Sequence, residues 1–519
     1  MKRTLYVPAV VAIAILATLA LLPFSCSTDV PEDRAGKSGR AGEARSEAKP
    51  SGGADQSAPP EALVPIAHLT STREGVSMEE LAQADELAVP DEAREPAAAL
   101  LERSDIAGQG SSETVVDEVS QDPEALGLVP WDEVDPRVKA LAVDGETLLD
   151  PDAEGSGDYP LRPEDAASPA PEKLRRIVVG GDIVLDRGQN YTVIQQGLGL
   201  DFPLDGGYAA VTSRVAEPSS YSEYGVIHQF TAERRGGAGE VREYLRSADL
   251  TLANFENPVI EAAVYHSDAP TFTGDLRLLP ILDQAGIDGV TLGNNHILDA
   301  GPEGLAETLT HLDDAGIYYT GAGMDLEAAR EPMLFELGGT KVGVLNYQGV
   351  PSYEWAWATE GAPGTAPMLQ EVMVEDIERL RPEVDLLVVM PHWGNEYLAT
   401  PEPDQVELAH AMMDAGADLI VGDHAHWPKG IEIYDGKPVY YGTGNFLFDQ
   451  YWSEETSTGI FAEITLYKDR VIQTRPVPFI VLDQAQPNFL LPDGGGDRAL
   501  KRIFDASIGP EFEAYRASR

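Results

Sequence analysis

A chain of 519 residues with 87 acidic and 37 basic side chains carries a formal net charge of -50. Charge of that sign and size opposes binding to nucleic acid and to anionic lipid, while the length allows two or three domains. A single cysteine excludes an intramolecular disulfide framework and any multi-thiolate metal site.

The chain opens Met1-Lys2-Arg3, and a largely apolar run follows from Leu5 to Phe24. A basic start, an apolar stretch and then small polar residues make an export signal, and the run also approaches the length of an uncleaved anchor. Cys26 comes directly after it. It is either a stray thiol or a lipidated cysteine; Ser25 suits the second reading and Pro23-Phe24 suits it poorly. Residues 1–26 therefore read as a signal peptide, lipoprotein anchor or membrane anchor, and predict an extracytoplasmic place in a bacterial cell envelope. Residues 27–174 are rich in Ala, Glu, Asp, Pro, Gly and Ser, with Trp131 and Tyr159 as their aromatic side chains. Such a stretch buries too little apolar surface to offset its ordering entropy, which predicts a disordered acidic linker with transient helices near Ser77 to Leu87 and Glu133 to Leu149.

From Leu174 the pattern changes. Apolar runs at Ile177-Val178-Val179, Leu250 to Ala253, Gly289 to Leu292, Leu386 to Met390 and Leu419-Ile420-Val421 each end at a turn or polar cluster, as buried strands do. Helix-period segments lie among them at Gly239 to Ser247, Leu276 to Ala285, Pro302 to Ala315, Leu369 to Leu380 and Asp404 to Ala415, several closed by a glycine: Gly286, Gly316, Gly416. Alternation of this kind predicts an α/β layered domain over 175–480. Residues 430 to 480 read as strand-rich, with hairpin turns at Asp435-Gly436 and Lys468-Asp469, and 481–519 as a C-terminal extension with short helices.

The polar clusters behind the strands are Gly181-Asp182, Asn254-Phe255-Glu256, Asn294-Asn295-His296, His392-Trp393 and Asp423-His424-Ala425-His426. Ligands of α/β folds gather at the carboxyl ends of strands, so these clusters are expected to share one site. Asp182 can ligate a cation or merely cap a turn. Glu256 can bridge two metals, or be a surface residue before Pro258. An Asn oxygen can ligate without adding charge, and a neighbouring His that does not ligate can protonate a leaving group; Asp299 stands three residues on, able to orient His296. His392 is a ligand or a packed histidine, and the spacing of His424 and His426 lets one extended loop bring two imidazoles to one cluster. Carboxylate, amide and imidazole together suit Mn, Fe or Zn better than a calcium cage. Arg187 is a candidate for pairing with a phosphate or carboxylate. The glycine-rich segment from Tyr441 to Gln450, which includes Asn445, can approach a ligand closely. Trp355 and Trp357 either line a cleft or pack.

In order and composition, Gly181-Asp182-Ile183-Val184-Leu185-Asp186-Arg187, Asn254-Phe255-Glu256, Asn294 to Gly301, His392 to Tyr397, Asp423 to His426 and Gly444-Asn445-Phe446 resemble the CapA family. These are bacterial capsule-synthesis, poly-γ-glutamate-associated proteins, similar in turn to calcineurin-like metallophosphoesterases. The resemblance runs from about Arg176 to Pro478. It implies a four-layer α/β/β/α sandwich and a centre of two divalent metal ions. On that mapping Asp182, Glu256, Asn295, His392, His424 and His426 take ligand positions and His296 the acid position; Asp299 beside it, and Arg187 and Asn445 as substrate-binding residues, rest on the local readings above. Three departures stand out. Val184 occupies the place of a ligating histidine, Glu256 that of a bridging Asp, and Asp423 that of a Gly. The function expected is an envelope-anchored, metal-dependent hydrolase-like protein in synthesis, export or attachment of an anionic polymer such as poly-γ-glutamate. Its expected partners are that polymer or a phosphoester, the membrane and a membrane synthase. The alternatives are a non-catalytic assembly subunit and an envelope phosphodiesterase unrelated to capsule.

Overall fold

The computed structural model describes residues 61–151, 159–219, 225–267 and 270–519. The expected signal or anchor, Cys26 and residues 27–60 lie outside the described residues. Among the described residues no helix is long and apolar enough to cross a membrane.

Two sheets make the centre of the molecule. One has ten strands, in the order Tyr318–Thr320, Gly289–Thr291, Leu250–Phe255, Leu174–Ile183, Thr458–Tyr467, Arg470–Leu482, Gln486–Leu490, Tyr208–Pro218 and Val226–Arg235, with Asn445–Leu447 against the end of Leu174–Ile183. The other has six, in the order Met333–Leu337, Thr340–Gly349, Leu386–Trp393, Leu419–Val421, Lys437–Tyr440 and Ile431–Tyr434. Period-two alternation sorts their side chains into layers. Ile177, Val179, Leu250 and Leu252 of the first sheet meet Val342, Val344, Leu386 and Val388 of the second in one core. The intervening Val178, Ala253 and Phe255 point away, onto Leu245, Ile281, Leu305 and Leu312 of the helices Glu240–Ser247, Pro280–Ala285 and Gly301–Ala315. Likewise Leu345, Leu387 and Val389 pack against Met373, Ile377 and Met412 of Gln370–Leu380 and Pro403–Ala415. Helices, sheet, sheet and helices are thus stacked in four layers. The central strands of both sheets are covered on both faces, which is why Ile177 to Val179 and Leu386 to Met390 are continuous apolar runs.

Helix ends follow the local chemistry. Gly286 and Gly316 close their helices with φ of 74° and 71°, a left-handed conformation that costs glycine little. The turn at Asp435-Gly436, with φ of 49° and 74°, joins Ile431–Tyr434 to Lys437–Tyr440 as a hairpin.

The acidic segment departs from expectation. Residues 61–151 and 159–174 are folded instead of forming a linker. Leu63–His68 lies between Leu126–Pro130 and Val138–Ala140 in an antiparallel sheet, with the helix Ser112–Gln121 placing Val115, Val116 and Val119 in its core. That core uses small aliphatic side chains scattered among acidic ones, and it is completed by Ile472 and by Tyr467, whose ring meets Trp131 edge-on at 4.7 Å. Composition misses it because part of the buried surface is supplied from some three hundred residues downstream. The helix expected near Glu133 to Leu149 is also replaced, by the strands Val138–Ala140 and Ala142–Val143. Replacing Trp131, which is 6% exposed, with Ala removes one of the contacts that join this unit to the main sheet. We expect a loss of about 3 kcal/mol, read as a lowered thermal midpoint; an unchanged midpoint would mean that the unit contributes nothing to global stability.

The boundary at 480 also disappears. Arg470–Leu482 runs through it, and Gln486–Leu490 pairs antiparallel with that strand and parallel with Tyr208–Pro218. Tyr208–Pro218 and Val226–Arg235 form a long, largely exposed hairpin that periodicity did not reveal.

Candidate metal centre

The parallel strands of the two sheets deliver their carboxyl ends to one place. Asp182 is the penultimate residue of Leu174–Ile183, and Glu256 directly follows Leu250–Phe255. Asn294, Asn295 and His296 follow Gly289–Thr291, and Asp423, His424 and His426 follow Leu419–Val421. His392 stands within Leu386–Trp393, not behind it. Asp182, Glu256, His392, Asp423, His424 and His426 are each at most 3% exposed, so six ionisable side chains share a nearly dry volume. That arrangement is costly unless the charges compensate one another or hold a cation.

The observed contacts compensate part of it. Asn254 donates through Nδ2 to Asp182 Oδ1 at 2.8 Å and lies 3.5 Å from Glu256 Oε2, so one amide separates two carboxylates. Asn294 donates to Asn254 Oδ1 at 3.1 Å and to the Phe255 carbonyl at 2.9 Å, and its own Oδ1 accepts from the Ile297 amide at 2.9 Å. His426 Nδ1 lies 3.1 Å from Asp182 Oδ2 and 3.0 Å from Asn445 Oδ1. His392 Nδ1 is bonded to Asp423 Oδ1, while its Nε2 lies 2.7 Å from Asn295 Oδ1 and 3.5 Å from Glu256 Oε1. A carboxylate on one ring nitrogen fixes the tautomer and aims the other nitrogen, the usual support of a ligating histidine. Asp423 performs that task. In the sequence Asp423 stands out only as a departure beside the histidine pair, and its bond to His392 supplies its role.

Charge states follow from these contacts. Burial alone would lower His392 and His426, but Asp423 and Glu256 push His392 up to about 10, and Asp182 and Glu256 push His426 up to about 9. Burial, reinforced by those two cationic rings, drives His424 well below the ordinary histidine range and keeps it neutral. Burial and then the neighbouring Asp182 raise Glu256.

Compensation is nevertheless incomplete. Glu256 Oε1, Asp423 Oδ2 and His424 Nδ1 are buried without a hydrogen-bond partner. Native interiors seldom leave such atoms unpaired without a functional reason. Three groupings, Glu256 with His392 and His424, Asp182 with Glu256 and His426, and Asp182 with His392 and Asp423, place one donor atom each within 4.8 Å of one another. The first two share Glu256. The residues therefore fit a divalent cation. The Asp182 side has one donor fewer than the expected pattern, because Val184 is 1% exposed and packs on Phe272 and Phe448.

The loop carrying the paired histidines is not extended as expected. His424 and His426 have φ of 83° and 54°, left-handed values that cost a residue with a Cβ free energy and cluster at functional sites. Alternating with Ala425, the two bends bring both imidazoles to the same cluster.

Above the cluster lies a cleft of about 700 Å³, lined by Asn295, His296, His424, His426, Glu396 and Arg187 among others. His296 is half-buried; its Nδ1 lies 2.8 Å from Asp299 Oδ2, which also accepts from the Phe272 amide at 2.8 Å. Bonding of Nδ1 to the carboxylate leaves Nε2 as the nitrogen able to exchange a proton. Arg187 reaches the cleft from a backbone with φ of 45°, its Nε 3.0 Å from Asp449 Oδ1. Asn445 is placed differently from expectation. It is fully buried and is not among the cleft-lining residues, and it donates to the Thr456 carbonyl at 2.8 Å while bonding His426. Its part is to hold a ligand residue rather than a substrate. Trp355 is 66% exposed, while Trp357 packs with its indole donating to Gln348 Oε1 at 2.7 Å.

The sequence profile of the family described as "Bacterial capsule synthesis protein PGA_cap" matches residues 176–450. The PGA biosynthesis protein CapA of Bacillus subtilis is 31% identical over 235 residues, which are 43% of this chain and 60% of that protein. The chain thus spans about three-fifths of that relative's length. A protein of Mycobacterium tuberculosis described as a probable polyglutamine synthesis accessory protein is 31% identical over 293 residues, 53% of this chain and 74% of that one. Among solved structures, the NAD nucleotidase of Haemophilus influenzae aligns with a TM-score of 0.34 and 13% identity, covering 66% of this chain and 59% of that chain. The profile takes in every proposed ligand from Asp182 to His426, and the chain belongs to the bacterial capsule synthesis PGA_cap family.

Proposed function

We propose that this protein acts in capsule formation as a metal-dependent hydrolase on an anionic polymer of the poly-γ-glutamate type, at the cell envelope. It would be held there by residues 1–26 beside a membrane synthase. The observation that carries the reading is the set of orphaned donors, Glu256 Oε1, Asp423 Oδ2 and His424 Nδ1, at the strand ends beneath an open cleft. Bound there, a divalent cation supplies Lewis-acid stabilisation of the charge that develops during acyl or phosphoryl transfer. Asp182, Glu256, Asn295, His392, His424 and His426 hold it. Asp423 sets the direction of His392, and Asn254 keeps Asp182 and Glu256 apart. His296, steadied by Asp299, passes a proton from Nε2 to the leaving group. Arg187 receives an anionic group of the substrate, offsetting the repulsion that an acidic protein exerts on a polyanion.

The test is metal analysis of the purified protein together with assays on γ-glutamyl and phosphodiester substrates. His424→Ala and Glu256→Gln are expected to lose bound metal. His296→Ala is expected to retain metal and lose about a hundredfold or more in turnover, the usual scale of acid catalysis. Protein that binds no metal, or a His296→Ala variant that turns over normally, would overturn the enzyme reading. One observation favours the second reading, a non-catalytic assembly subunit: Val184 stands where the Asp182 side would gain another imidazole. On that reading His296→Ala leaves polymer output by cells unchanged.

A further inference from the structure

We infer that the cleft over the metal centre continues past Arg187 into a second chamber that holds the neighbouring units of a linear polymer bearing one carboxylate per repeat. The inference rests on the capsule-polymer reading above. The second chamber has a volume of about 330 Å³ and shares Arg187 and Trp452 with the first, of about 700 Å³. Each falls in the range of about 300–1,000 Å³ common for ligand sites. Two ligand-sized spaces joined at a common wall suit a chain better than a compact metabolite.

The junction is built for an anion. The Arg187 guanidinium carbon lies 5.6 to 6.0 Å from the ring centres of Phe448, Phe272 and Trp452, and Asp449 stands beside its Nε. Aromatic rings surround the guanidinium and one edge faces Asp449, so the terminal nitrogens are the part left to receive a carboxylate. Among the described residues lining the two chambers, Arg187 is the sole lysine or arginine. Arg187 can pair with one carboxylate at a time at this junction. The outer chamber offers Tyr191, Tyr265, Tyr451 and Ile227, surfaces that suit methylene and amide groups of a repeat unit.

The outer chamber is also pre-organised. Asp186, fully buried, accepts from the Arg187 amide at 2.8 Å and the Thr273 amide at 2.9 Å, and pairs with His266 Nδ1 at 2.5 Å. It thereby ties the Arg187 turn to the segment carrying Tyr265. On the opposite side the long hairpin supplies Ile227 and is pinned by the His228 amide donating to the Tyr451 carbonyl at 2.5 Å. Fixed walls lower the ordering cost of capturing a flexible chain.

The experiment is calorimetric titration of the full chain, with divalent cation present, using γ-linked glutamate oligomers from the dimer upward. Affinity is expected to rise with length and then level off once both chambers are filled. Tyr265→Ala should weaken the long oligomers by about tenfold while the dimer is little changed. Gln484, exposed on the chamber rim, provides a pair of variants that leave the fold intact. Gln484→Glu should weaken and Gln484→Lys should tighten long-chain binding alone. Length-independent affinity, or Tyr265 and Gln484 variants that act equally on dimer and long chain, would overturn the second chamber and leave the polymer reading standing. If no oligomer binds, the polymer reading itself fails, and the inference with it.

Discussion

Gly181→Ala is expected to abolish the native site and to cost more than about 4 kcal/mol of stability. A Cβ at this position would fall 1.7 Å from the Gly444 carbonyl oxygen and 2.8 Å from its carbon. Both atoms are backbone, so no rotamer change relieves the clash. The close approach has a purpose: Gly444 O accepts from the Asp182 amide at 3.1 Å, and Asn445 pairs with Asp182 across the same crossing. Displacing Gly444 therefore moves Asn445, which holds His426, and Asp182, which His426 pairs with. Low soluble yield, a collapsed thermal midpoint and loss of metal should appear together. Gly361→Ala is the control, because nothing lies within 4 Å of its Cβ. A Gly181→Ala protein that melts with the parent would refute the packing described for the strand ends.

Asn254→Asp is expected to be strongly destabilising. The amide is the donor between Asp182 and Glu256, and Asn254 is fully buried. The exchange removes a hydrogen bond to a carboxylate, worth about 1.5–3 kcal/mol, and adds a fourth carboxylate to Asp182, Glu256 and Asp423. Two charges about 4 Å apart repel by about 4 kcal/mol at an effective dielectric of about 20, so repulsion dominates the lost bond. A net loss of about 3–5 kcal/mol follows for metal-free protein, lessened to the extent that one carboxyl takes up a proton. A saturating divalent cation should return a larger increment of thermal midpoint to Asn254→Asp than to the parent, since the added charge is what it neutralises. A variant within about 1 kcal/mol of the parent in chelator would show that Asn254 does not separate these carboxylates.

The four layers were legible because strands covered on both faces read as continuous apolar runs, as at Ile177-Val178-Val179 and Leu386 to Met390. The clusters were legible because residues at the ends of parallel strands converge whatever the loops between them do. What escaped was information carried by long-range partners. Asp423 looked like a departure from a pattern, and only its bond to His392 gives it a task. Asn445 sat in a segment suited to touching substrate, yet its neighbours Thr456 and His426 bury it. Asp186 and His266 stand 80 positions apart, and nothing in either local sequence pairs them. The folded state of residues 61–151 was hidden in the same way, because its core closes on Ile472 and Tyr467.

That closure bears on the order in which the protein can be completed. His68 is buried and its Nε2 lies 3.0 Å from the Glu511 carbonyl, 443 positions away, and the helix Pro510–Ala517 rests on Ser112–Gln121. The segment around His68 is therefore made 443 positions before the helix that covers it. Until Glu511 is made the early segment lacks that covering, and contacts between such distant segments are in general the slow ones to form. The stability of this early unit is thus tied to a helix more than four hundred positions downstream.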